Sequence, residues 1–148
     1  MGTWARNAAK RFQETADTER KNEELELVRH YKTVAGAETL WEKLISFISE
    51  EARDLNRQMQ REFFKVQGSQ NETEVEAPTK RLTIELDLRT PAIDYRYQEP
   101  YPNTEVRDAG EYRFMLHDNT VSIVGQYDKE TPLSIETVGG ELLDPLVV

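Results

Sequence analysis

The residue types that most often do chemistry are few in this chain and far apart. Its two histidines, His30 and His117, stand in opposite halves of the sequence. Asp118 adjoins the second, but a neighbouring pair cannot enclose a cation alone, so no metal site is expected. There are no cysteines, which removes disulfides, thiolate nucleophiles and zinc–sulfur sites. GxSxG and HExxH are absent, and no glycine-rich phosphate loop follows a strand. The doublet Gly139-Gly140 lacks the strand-to-helix context of a phosphate cradle. No catalytic residue and no cofactor are expected.

Carboxylates are plentiful, but acid–base work needs burial to shift a pKa. Glu85, Asp87 and Glu136 read instead as solvated charges on an outer sheet face. One cluster is richer, Asp94-Tyr-Arg-Tyr-Gln-Glu-Pro-Tyr101. Tyrosine and arginine are enriched at binding hot spots, and Tyr-Pro loops form ledges for ligands or peptides. Tyr95, Tyr97, Tyr101, Arg113 and His117 are therefore the candidate ligand-binding residues. The plainer reading places Tyr95 and Tyr97 in the core with their hydroxyls at its rim.

A long helix must position whatever these residues do. From Ala37 to Val66 the large apolar residues fall at Trp41, Ile45, Ile48, Ala52, Leu55 and Met59, in alternating steps of four and three. That period of about 3.5 is the mark of a helix facing another helix. Trp41, Ile45, Ile48, Leu55 and Met59 are thus candidate interface residues, while Leu44, Phe47, Phe63 and Phe64 are free to cover a sheet. Upstream, Trp4, Ala8, Phe12 and Ala16 repeat every four residues along a short helix. Asp17 to Glu24 contains no apolar residue, and the apolar pattern resumes from Leu25 to Ala35. Gly36 reads as a helix terminator, making residues 18–35 and 37–66 an antiparallel hairpin. The alternative is one unbroken helix, tolerating the glycine at about 1 kcal/mol relative to alanine.

Residues 67–79 are polar, contain Gly68 and Pro78, and read as a linker. The period then switches to two. Leu82, Ile84, Leu86 and Leu88 share one face of a strand over Lys80–Leu88. Further strands follow at Ala92–Gln98, Glu111–His117, Thr120–Tyr127 and Pro132–Val138. Short connections make them antiparallel neighbours. The expected fold is α+β, a single domain: a helical half over 1–66, with the long amphipathic helix at about 37–66, and a five-stranded antiparallel meander at about 80–138. A helix clasped by such a meander is similar in layout to cystatin-like folds, a likeness that implies no function. The tail from Gly139 carries Leu142, Leu143, Leu146, Val147 and Val148, and is expected to dock on the domain or on a partner.

Charge narrows the partners. Residues 1–66 hold 12 basic and 12 acidic side chains, and residues 67–148 hold 7 and 16, so the whole excess of −9 is in the second half. A polyanion is repelled there, so no nucleic-acid partner is expected. No apolar run approaches the roughly 18 residues of a membrane span, and the first residues lack a secretory core. A cytoplasmic protein without a membrane partner is expected. The leading functional expectation is a non-enzymatic protein–protein interaction module that self-associates as a dimer through the Trp41–Met59 seam, with Leu142 and Leu143 as further interface candidates. Two rivals stand beside it: a small-molecule binder or enzyme with a pocket between helix and sheet, and an acidic chaperone-like binder of a partner's segment.

Overall fold

The computed structural model describes residues 2–147 and divides them into two compact units, one ending at Lys32 and one running from Thr33. Helix α1 spans Thr3–Met59 without a break, so the expected hairpin at Gly36 does not form. The reason is a close approach. A Cβ at Gly36 would overlap the Cβ and methyl groups of Val121, so this glycine lets the helix lie against a strand. Mid-helix glycine costs about 1 kcal/mol in propensity, which burial against Val121 offsets.

The unit from Thr33 is built around an antiparallel sheet of six strands in sequential order. They are β1 (Lys65–Gly68), β2 (Glu72–Glu76), β3 (Arg81–Asp87), β4 (Ala92–Gln98), β5 (Val106–His117) and β6 (Thr120–Gly125). Two of these occupy the expected linker. Thr73 and Val75 alternate with Glu72, Glu74 and Glu76, and both alternating residues are fully buried. The inner sheet face sets Leu82, Ile84, Leu86, Ile93, Tyr97, Tyr112, Phe114 and Ile123 against Ala37, Trp41, Leu44, Ile48 and Ala52 of α1. The residues of α1 in that core recur at steps of four and three, one face of a helix.

Where α1 stops, one side chain fixes the exit. Gln60 takes a left-handed backbone with φ of 56°, which ends the helix before the expected Val66. The Asn56 carboxamide oxygen accepts from the backbone N–H of both Phe63 and Phe64 at 2.8 Å, and its Nδ2 donates to the Phe64 carbonyl at 2.8 Å. This aims the chain into β1 and buries Phe64.

The fifth expected strand, Pro132–Val138, is not a strand. Leu133 makes one isolated bridge to Ile123, and residues Ile135–Leu143 form a helix, α2. The Ser134 hydroxyl caps it by accepting from the Thr137 N–H at 3.1 Å. Val138, Leu142 and Leu143, with Leu146 in the 3-10 turn beyond, are buried, so the apolar tail docks on its own chain. Gly139 permits close packing on α1, since a Cβ there would overlap the Phe47 ring.

Candidate functional site

The five candidate ligand residues do not converge. Tyr97 is buried and its hydroxyl donates to the Leu142 carbonyl at 2.6 Å, fastening α2 to the sheet. Burial raises its pKa, so it remains a neutral donor. Tyr95 is half-buried against Tyr97 and Tyr112, with ring centroids at 6.0 and 5.5 Å. Tyr101 is exposed on the loop after β4, beneath the Arg81 guanidinium 3.9 Å from its ring. Arg81 in turn donates to the carbonyls of Glu99 and Asn103, so the Pro-rich loop is pinned rather than open. Arg113 pairs with Glu111 at 2.9 Å on the outer face, and His117 is exposed at the end of β5. Only Tyr95 and Tyr97 are neighbours, and what they build is core.

The outer sheet face carries charge in register. Glu85, Asp94 and Glu111 stand opposite one another across β3, β4 and β5. Partial burial, followed by the charges of Glu111, Asp87 and Glu85, raises the Asp94 pKa. Arg96 answers part of that charge through a 3.0 Å pair with Glu85. Asp87 lies beside this row with its pKa lowered, chiefly by the backbone N–H of Arg89. Among the described residues no group of three or more His, Cys, Asp or Glu side chains could hold a metal ion, and no helix is long and apolar enough to cross a membrane.

The candidate interface residues are largely occupied within the chain. Trp41, Ile48, Leu142 and Leu143 are buried in the core, and Ile45 and Leu55 pack against it. The Trp41 indole N–H also donates to the Gln70 carbonyl at 3.0 Å, tying α1 to the β1–β2 turn. Met59 alone of the set is exposed. A 3.5-residue period looks the same for a helix on a sheet as for a helix on a helix, which is why the seam did not announce its partner.

Exposed apolar surface lies instead on residues 3–32. No side chain there is buried, and only Ala5 and Ala8 are partly covered. Trp4, Phe12 and Tyr31 are 75%, 77% and 69% exposed, and Leu25, Leu27 and Val28 are also exposed. Solvated leucines are ordinary singly, and here six large apolar side chains stand exposed along one helical segment. Comparison with known protein families, with characterised proteins and with solved structures finds no match to this chain.

Proposed function

We propose that the protein is a non-enzymatic protein–protein interaction module that self-associates, and that residues 3–32 carry the association surface. One observation supports this above others: this 30-residue stretch of helix buries nothing while exposing Trp4, Phe12, Leu25, Leu27, Val28 and Tyr31. An isolated helix is held by marginal terms, since most helical stability in proteins comes from packing an apolar face. A partner lying along the segment supplies that packing. The Trp41–Ile48 part of the original seam is already spent on the sheet, so the association surface moves upstream of it.

A pocket between helix and sheet has less support. Leu44, Ile48, Leu82, Ile84 and Ile93 fill that interface and are all fully buried. The test is sedimentation equilibrium at micromolar concentration, on the full chain and on a Phe12→Glu, Leu27→Glu variant. The expected result is a self-associating chain and a monomeric variant in which the unit from Thr33 still unfolds cooperatively. A parent chain that stays monomeric would remove the proposal.

A further inference from the structure

We infer that α1 has a second start at Asp17, so that residues 3–16 add to the helix only when something covers them. Such a start is a property of the uncovered chain and is independent of the self-association reading above. No side chain of residues 3–32 is buried. Residues 33–59 pack on the sheet and supply the nucleus, so the helix upstream bears no nucleation cost. How far it runs is then decided by local terms alone.

Those terms favour a start at Asp17 over the one at Thr3. The first turn from Thr3 holds no acid, and Gly2 before it has no side chain to cap with. Arg6, Lys10 and Arg11 come before the first carboxylate at Glu14, so positive charge sits at the positive end of the helix dipole. Thr15 and Thr18 turn their hydroxyls on the helix's own carbonyls, donating to Arg11 at 3.0 Å and to Glu14 at 2.9 Å. Bonds of that kind loosen a helix slightly, and no burial on this stretch offsets them. Between the two threonines stands Asp17, a residue type that favours caps over helix interiors. In the full-length helix its carboxylate accepts from the Arg20 side chain at 3.3 Å. In a helix that starts after it, the same carboxylate accepts from the backbone N–H of Glu19 or Arg20, and Glu19 lies in the first turn. Ala5, Ala8, Ala9 and Ala16 keep residues 3–16 within reach of helix. A cover over the exposed Trp4 and Phe12 therefore selects the longer form.

Hydrogen exchange read by mass spectrometry tests this on the full chain, diluted until sedimentation shows a monomer. Amides up to Arg20 are expected to exchange close to the rate of an unstructured chain, and those of residues 21–32 more slowly. Asp17→Ala gives the sign. At a cap it removes an acceptor, and exchange over residues 21–32 should quicken about fivefold. Inside a continuous helix it replaces a poor helix former with the best one, and exchange should slow. Asp17→Ser, which keeps a cap, should stay close to the parent. Equal protection before and after Asp17, with Asp17→Ala slowing exchange, would mean one helix of fixed length and would overturn the inference. Exchange at the unstructured rate throughout residues 3–32 would overturn it too, by moving the start to Thr33. Neither result bears on self-association, which sedimentation decides by itself.

Discussion

Residues 33–59 of α1 bury Ala37, Trp41, Leu44, Ile48 and Ala52, whereas residues 3–32 of the same helix bury nothing. Their helix-forming credentials are similar: both are rich in alanine and glutamate, and neither contains proline. The upstream stretch even has an ion pair of its own, Asp17 with Arg20 at 3.3 Å. What separates them is tertiary. The downstream stretch is held by a sheet, and the upstream one by local terms worth a few tenths of a kcal/mol per pair. Helix propensity thus says where a helix forms and nothing about what it is for; the side chains left over decide that. The same kind of substitution should therefore read out as folding in one stretch and as association in the other.

The largest effect is expected from a charge on the buried stretch. Ile48→Asp places a carboxylate where exposure is 0%, and should cost more than about 4 kcal/mol and leave the chain unfolded at room temperature. Phe12→Asp should leave the cooperative unfolding of the unit from Thr33 in place, since Phe12 is 77% exposed. Thermal unfolding followed by circular dichroism tests both. Equal losses would mean that the upstream stretch is packed within its own chain after all.

Gly36 sharpens the contrast through the sign of an effect. In a solvated helix, glycine to alanine stabilises by about 1 kcal/mol. At position 36 the new methyl meets Val121, a stiff β-branched side chain, and overpacking of this kind costs about 1–3 kcal/mol. Gly36→Ala should therefore destabilise, and Val121→Ala in the same chain should restore part of the loss. By contrast Asn22→Ala, on the upstream stretch, should leave stability equal or slightly higher. A stabilising Gly36→Ala would show that the helix has room to move off β6.

These residues also mark what was legible in the sequence. The strands at β3 and β4 show in the sequence as period-two alternation, with Leu82, Ile84 and Leu86 against Thr83, Glu85 and Asp87 in the first and Ile93, Tyr95 and Tyr97 against Asp94 and Arg96 in the second. Gly36 was visible as a glycine but not as a contact. Its reason is Val121, which lies 85 residues away in sequence. The linker at 67–79 held a readable signal in Thr73 and Val75, outweighed by Glu72, Glu74 and Glu76 around them. The apolar tail, open in the sequence between its own domain and a partner, docks on its own chain. Its helical form needed Ile135, Val138 and Leu142 to be seen at steps of three and four, with Ser134 as the cap. The candidate ligand residues share a sequence neighbourhood, and antiparallel pairing sends alternate residues to opposite faces. That alternation puts Arg113 on the face opposite Tyr95 and Tyr97, and Tyr101 lies beyond β4 on its loop.

A smaller loss is expected where α1 ends. Asn56→Ala removes three hydrogen bonds at once and leaves the partly buried N–H groups of Phe63 and Phe64 without that acceptor. A cost of about 2 kcal/mol follows, read as a lowered urea midpoint with an unchanged slope. No residue upstream of Lys32 should match it, because the side-chain hydrogen bonds of Thr15 and Thr18 there are exposed ones to the helix's own carbonyls.

The smallest effects are titrations of the sheet face, and they carry opposite signs. The Asp94 pKa is raised in the folded state, so the folded protein holds its charged form at a cost. Its favourable contribution is complete below the ordinary value of 3.8 and is lost as pH rises through the folded pKa. Asp94→Asn should thus stabilise at pH 7, by at most about 0.5 kcal/mol for relief of like charges across a sheet. The gain should vanish on acidification below that value. The Asp87 pKa is lowered, so its contribution is present above 3.8 and is lost as pH falls through the folded pKa. Asp87→Asn should weaken the fold at neutral pH and converge with the parent in acid. Both residues lie in the unit that starts at Thr33. Their difference curves against pH should therefore be the same in the parent and in the Phe12→Glu, Leu27→Glu background. A change in either curve would mean that the upstream helix acts on the sheet's outer face, and the division of labour within α1 would fall.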